Sequence, residues 1–344
     1  MSIGTLLRRR ETSILLAIVL IVVVATSKNS GFTLSNDGFR DLLLAPALLV
    51  LLAVGQSIVI ITRNVDLSVS SVLGIVAFAT GKWFIDVPGI PIIAVVALGL
   101  LFGAVLGAIN GLLVTIVSVP SLVITLGTLY IIRGITVTWA GSERINASEM
   151  PKSFLALGTA KVLGLPLLAL IALVVVILAA VHMGFARGGR ELYAIGSEPE
   201  AARLCGLPVA RRTFFAFVLS GTLAGLAGVL FAARYATVSS NAGTGLELQA
   251  VAAAVIGGVA IFGGSGTVAG AALGAVLLAT IDRALPILGI PDFWQQAVVG
   301  VLIIGAIVLD RVLAQRNARR LTSMSVRDHV EPPPGMPVAV GGSR

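Results

Sequence analysis

Residues Arg187–Arg212 read RGGRELYAIGSEPEAARLCGLPVARR, a polar stretch with five arginines in the middle of a chain that is otherwise almost continuously apolar. Glycines and two prolines, Pro199 and Pro208, punctuate it. A lipid-spanning chain carries its basic connecting segments on the cytoplasmic side. The stretch therefore sets an orientation, and its length and polarity mark it as a docking element for a soluble partner.

Outward from this stretch, the composition sets the class. The chain has 344 residues, of which 57% are hydrophobic and 12% charged, and its mean hydropathy is +1.04. Soluble domains carry about twice that share of charge. Runs of about 20 apolar residues match the bilayer core, where only helices satisfy the backbone within one segment. The reading is an all-α, polytopic transmembrane helical bundle. The formal charge of +8 resides in arginines at the edges of apolar runs rather than on one soluble face, so topology accounts for it and nucleic acid is excluded as a partner. The single cysteine, Cys205, excludes a disulfide framework and a Cys-pair metal site.

The start, MSIGTLLRRRETSILLAIVLIVVV, has a basic flank and an apolar core like a signal peptide. It lacks a small-x-small cleavage site, so it is expected to be a retained first helix with Arg8, Arg9 and Arg10 inside. Expected spans are Ser13–Ser27, Leu42–Thr62, Leu67–Phe84, Pro91–Val117, Ser121–Ala140 and Leu163–Phe185, then Thr213–Tyr235, Leu246–Phe262, Gly266–Leu285 and Phe293–Leu309. About ten crossings result, with both termini inside. Six crossings precede Arg187–Arg212 and return it to the cytoplasm, as its arginines independently require. This topology puts most of the 24 Lys and Arg residues inside. The expected organisation is a cytoplasmic segment 1–12, a membrane domain 13–313 with 187–212 as its cytoplasmic loop, and a disordered cytoplasmic tail 314–344. The longest external loop, Gly141–Lys161, has room for a short amphipathic element.

FGAVLGAINGLL contains Gly103, Gly107 and Gly111, and GTVAGAALGAVLL contains Gly266, Gly270 and Gly274. Spacing of four predicts three glycines on one helical face in each case, where a neighbouring helix approaches closely. Their placement in two halves hints at an internal repeat.

No Gly-x4-Gly-Lys-[Ser/Thr] phosphate loop occurs, and the two histidines, His182 and His329, make neither a catalytic triad nor a metal centre. Ionisable residues at membrane depth are functional candidates. Asp66, in TRNVDLSVSS, stands beside Arg63 and Asn64 between two apolar runs. Two readings are open: an ordinary cytoplasmic turn, or a broken helix that sets Asn64 and Asp66 beside a transport route. Arg133, with Tyr130, and the pair Asp282 and Arg283 either contact the bundle or snorkel to an interface. Gln56, Asn110, Thr125, Thr128, Asn241, Glu247 and Gln249 complete a set of polar groups suited to a polyhydroxylated substrate or to helix–helix hydrogen bonds.

GQSIVIITRNVDLSVSSVLG, GAINGLLV, PSLVITLGTLYIIRG, GRELYAIGSEPEAARLCGL, NAGTGLELQAVAAAVIGGVAIFGGSGTVAGAALGAVL and FWQQAVVG occur in this order. Over Leu42–Asp310 the chain resembles the permease subunits of ribose-type, or branched-chain/sugar, ATP-binding-cassette importers. TRNVDLSVSS and GTGLELQAVAA most resemble the autoinducer-2 and rhamnose permeases. The resemblance implies a type II-like importer permease in a bacterial inner membrane. It also implies a second identical or homologous permease subunit, an extracytoplasmic sugar-binding protein, and cytoplasmic ATPase subunits that use the ATP and Mg while this chain binds no cofactor. In that pattern Glu200, Ala201 and Ala202, with Gly206 four residues on, fall in the coupling loop, flanked by Arg190, Glu198 and Arg203. The residues themselves predict a short helix from Pro199, with Ser197 as cap and Gly206 and Pro208 as stop. An ion- or proton-coupled transporter using Asp66 and a non-transporting membrane scaffold are the alternatives.

Overall fold

The computed structural model describes residues 10–117 and 119–291, with scattered positions from 294 to 308. About half of the expected tenth span, Phe293–Leu309, most of segment 1–12 and the tail 314–344 lie outside the described residues. The chain divides into two compact units, Met1–Ile303 and Ile304–Arg344, and all the helices named below belong to the first.

The helices are α1 (Arg10–Lys28), α2 (Asn36–Leu44), α3 (Ala47–Ile61), α4 (Val69–Asp86), α5 (Ile92–Ile116), α6 (Ser121–Ala140), α7 (Lys152–Thr159) and α8 (Leu167–Phe185), followed by α9 (Arg187–Ser197), α10 (Pro199–Leu204), α11 (Val209–Tyr235), α12 (Leu246–Ile256) and α13 (Val268–Ile287). Among the described residues, eight helical segments are long and apolar enough to cross a membrane. Among the described residues the bundle is all-α apart from a two-residue antiparallel pairing of β1 (Lys161–Val162) with β2 (Leu165–Pro166) and a single antiparallel bridge between Ile145 and Val238.

Three boundaries depart from the sequence reading. The apolar run Leu42–Thr62 is two helices, because Pro46 has no N–H to extend α2 and instead caps α3. The run Leu163–Phe185 is helical only from Leu167, its start being taken by the β1–β2 pairing. The run Leu246–Phe262 forms a helix of only 11 residues, about 16 Å long against a hydrocarbon core of about 30 Å. Gly258 turns the chain at φ 91°, and the glycine-rich remainder continues as non-helical backbone. Such backbone survives at membrane depth only inside protein. In the loop Gly141–Lys161, α7 supplies a short element whose Phe154 is fully buried against Phe84, with ring centroids 4.7 Å apart.

Helix α11 is the hub. It packs on α3, α4 and α5, and at each contact a small residue removes the side chain that would hold the backbones apart. A methyl at Gly103 would overlap the carbonyl oxygen of Gly221, and one at Gly107 would overlap that of Phe217 and lie 3.0 Å from the Gly221 Cα. Gly111 faces Phe214 and Phe217 in the same way, Gly228 faces Leu73 of α4, and Gly55 of α3 sits against Ser220. In lipid, where apolar surface gains nothing by leaving the solvent, this close dispersion contact is what holds helices together. The second glycine series behaves differently. Gly270 and Gly274 pack on Gly257 and Ala253 of α12, but Gly266 is off the helix at φ 131°, because Thr267 caps α13 by accepting from the Gly270 N–H.

All 15 residues of α3 are buried, whereas α1 leaves Leu16, Val19, Leu20 and Val23 bare, as a helix with lipid around most of its circumference does. Gly107→Ala is expected to lower the stability of the detergent-solubilised protein by about 1–3 kcal/mol through overpacking. Gly127→Ala, which meets nothing, is expected to leave it equal or slightly higher. Thermal unfolding of the two variants side by side checks the difference.

Candidate functional site

The chain between α3 and α4 is not a solvated turn. Asp66 and Ser68 are buried, Val65 is half-buried, and the backbone across this break cannot pair with itself. Side chains from other helices take its place. The Gln56 amide of α3 donates to the Asp66 carbonyl at 3.0 Å and accepts from the Asp66 N–H at 3.2 Å, in the orientation that satisfies both. Ser121 of α6 accepts from the Val65 N–H at 3.1 Å. Thr125, one turn on, accepts from the Leu67 N–H at 3.1 Å and donates to the Val65 carbonyl at 3.1 Å.

The carboxylate is held as closely. One oxygen of Asp66 accepts from the Ser68 N–H (3.0 Å) and hydroxyl (2.6 Å), and the other accepts from Ser220 of α11 at 3.2 Å. Asn110 of α5 donates to the Ser68 hydroxyl at 2.6 Å. Five helices, α3, α4, α5, α6 and α11, thus meet at one buried polar junction. Asp66 thus sits in a buried connection between two long apolar helices, held by side chains rather than by solvent.

The sequence-derived path residues fall into two groups. Gln56, Asp66, Asn110 and Thr125 converge at the junction. Asn64 stands at its edge, its amide turned back to the Thr62 carbonyl at 2.9 Å. Asn241, Glu247 and Gln249 belong instead to the chain entering α12: Asn241 is exposed and the other two are partly so, and Glu247 accepts from the Gly245 N–H at 3.0 Å. Arg133 contacts the bundle, donating to the carbonyls of Ser240 (3.1 Å) and Ala242 (2.8 Å) and so fixing that loop. Arg283 donates to the Gly38 carbonyl at 3.2 Å and lies over Phe32. Ser121 and Ser220, both central to the junction, were not singled out from sequence. Their only signal is a hydroxyl inside an apolar helix.

The polar stretch Arg187–Arg212 holds α9, α10 and the first residues of α11. α9 is amphipathic, with Gly189, Glu191, Leu192, Ile195 and Gly196 buried and Arg190 exposed. α10 has Pro199 at its first position and extended Glu198, not Ser197, as its N-cap residue. Glu200, Ala201 and Arg203 are exposed and Ala202 is buried. Gly206, at φ 79°, turns the chain toward α11. Glu191 ties α9 to α11, accepting from Arg212 at 2.5 Å, and accepts from Arg187 within its own helix at 2.8 Å. Those bonds, that from Arg212 foremost, hold its carboxyl below the ordinary range against the opposing effect of burial. Among the described residues no cluster of His, Cys, Asp or Glu is arranged to hold a metal.

Residues 39–307 match the family described as branched-chain amino acid transport system / permease component. The Autoinducer 2 import system permease protein LsrC of Enterobacter sp. (strain 638) is 37% identical over 315 residues, 92% of this chain and 90% of that protein. That of Klebsiella pneumoniae subsp. pneumoniae is 37% identical with the same coverage. The LsrC protein of Escherichia coli (strain K12 / DH10B) is 33% identical over 97% of this chain and 96% of its own length. No solved structure matches the chain.

Thr125→Val keeps the shape but leaves the Leu67 N–H and the Val65 carbonyl without a partner, at an expected cost of about 1–3 kcal/mol for a buried unsatisfied group. Thermal unfolding compared with Thr128→Val, whose hydroxyl bonds only within its own helix, isolates the effect. The Glu191 carboxyl has its folded pKa depressed, so its contribution is complete above its ordinary value of 4.5 and is lost as pH falls through the lower folded value. Unfolding midpoints measured on descending pH should fall more steeply in the native protein than in Glu191→Gln.

Proposed function

Because the chain belongs to the family of branched-chain amino acid transport system permease components, we propose that it is the membrane permease subunit of an ATP-binding-cassette importer whose cargo is autoinducer-2 or a sugar of the same polyhydroxylated class. It is a multi-pass protein of the inner membrane and acts as a transport subunit rather than an enzyme. The substrate reading rests on relatives that carry autoinducer-2 import in their names and align with nearly the whole chain.

The way α9 and α10 are mounted carries the mechanism. α9 is fastened to the bundle on its buried face and by Glu191, while α10 offers Glu200, Ala201 and Arg203 outward. A short helix held at one end and exposed along its side is suited to receive a cytoplasmic ATPase and to pass on its motion as a rigid body. Arg190, Glu198, Glu200, Ala201, Ala202, Arg203 and Gly206 are then the docking segment. With no phosphate-binding loop in this chain, ATP and Mg belong to that partner. The full topology has about ten crossings with both ends inside, membrane domain 13–313 and cytoplasmic ends 1–12 and 314–344. The path runs beside a second permease subunit, and an extracytoplasmic binding protein delivers the cargo near the Asn241, Glu247 and Gln249 loop.

Glu200→Arg and Ala201→Asp should each weaken ATPase co-purification by at least about tenfold, as misplaced interface charges do, and abolish ATP-dependent uptake of autoinducer-2 while membrane insertion stays normal. Retained ATPase and uptake in both variants would reject the docking assignment.

A further inference from the structure

Three chain segments meet beside the start of the buried junction: the end of α3 at Ile61–Arg63, the end of α9 at Gly196–Ser197, and the non-helical chain after α12 at Phe262–Gly264. Their backbones touch without side chains between them. The Gly264 N–H donates to the Ile61 carbonyl at 2.9 Å. A methyl at Gly196 would overlap that same carbonyl and lie 2.6 Å from the Gly264 nitrogen. Arg63 stitches the three together: its Nε donates to the Phe262 carbonyl at 2.9 Å, and Nη2 donates to the Ser197 carbonyl and lies 3.8 Å from Glu198. A guanidinium reaches two carbonyls at once because its donors form a rigid planar fork, which an ammonium lacks. The backbone of Arg63 is left-handed, at φ 64°, an uncommon state for a residue other than glycine.

Beyond Glu198 the packing opens. A cavity of 270 Å³ lies between α10 and the bundle, lined by Arg63, Asn64, Thr115, Ile195, Arg203 and Thr213 among others. α10 thus has room to shift, and the end of α9 stays fastened at Ser197. Two residues past Arg63, Val65 begins the junction that five helices share.

We propose that Arg63 is the positioning residue that transmits displacement of α9–α10 inward, pulling together on the Val65–Ser68 break and on the Phe262–Gly264 chain. Both targets are stretches where helical hydrogen bonding is interrupted, so they deform more readily than the helices they connect. The inference rests on the reading of α9–α10 as the ATPase-docking segment.

Hydrogen exchange of the permease–ATPase complex, without nucleotide and with Mg-ATP plus orthovanadate, tests it without need of a transport substrate. In the native complex the nucleotide state should alter exchange at 187–206, 62–68 and 258–266, the last two by about tenfold, the factor that one charge-assisted hydrogen bond made in a single state carries. Arg63→Gly removes the fork while glycine takes the left-handed backbone freely. In this variant the response at 187–206 should persist and those at 62–68 and 258–266 should vanish. Arg63→Lys keeps a long cationic side chain, which protects folding, and should likewise lose both inner responses. Nucleotide-dependent exchange at 62–68 that survives in Arg63→Gly, or is missing from the native complex, overturns the proposal. So does loosening of 62–68 by the same factor in both nucleotide states, which leaves the native nucleotide response in place and marks a purely structural role. A native complex with no response at 187–206 removes the docking reading and this inference with it.

Discussion

Backbone polar groups buried inside a protein have no water to turn to, and the break between α3 and α4 shows what that demands. The N–H groups of Val65, Asp66, Leu67 and Ser68 and the carbonyls of Val65 and Asp66 are all taken by side chains. The donors and acceptors come from Gln56, Ser121 and Thr125 and from Asp66 itself; Ser220 and the Asn110 amide nitrogen add to them, and the Asn110 Oδ1 is left buried without a partner. Each bond is short of partners to exchange with, so the break and the five helices that contribute to it move together or not at all. A half-satisfied version would cost more than an apolar core.

The second constraint is distance. Side chains such as Asn110 and Ser220 reach the break only because α5 and α11 approach until their backbones touch, at Gly103, Gly107, Gly221 and Gly225. Small residues on α11 therefore serve the polar junction as much as the packing around it. The two effects reinforce each other, since each hydrogen bond holds the helices at the separation that dispersion favours.

Most of the long apolar helices were legible in the sequence because an apolar run of bilayer length admits few other structures, and the basic stretch Arg187–Arg212 marked the segment that forms α9 and α10. The misreadings have physical causes. Hydropathy treated Leu246–Phe262 as one span because valine and isoleucine continue past Ile256, although Gly258 ends the helix through its backbone angle. Gly266 kept the spacing of its neighbours and yet lies before the cap at Thr267. Pro46 divided what looked like one helix. Around Asp66 the sequence offered a turn and a broken helix with equal force, since the deciding groups, Ser121 and Ser220, are 55 and 154 residues away. A lone hydroxyl in an apolar helix does not announce its partner.

The hydroxyl of Thr267 donates to Glu11 across 256 positions of sequence, and α1 packs on α13. During synthesis α1 therefore leaves the ribosome long before the surface it will rest on exists. Its bare, apolar circumference lets it wait in the bilayer as an independent helix. Its docking belongs to the closing steps of assembly, when α13 arrives.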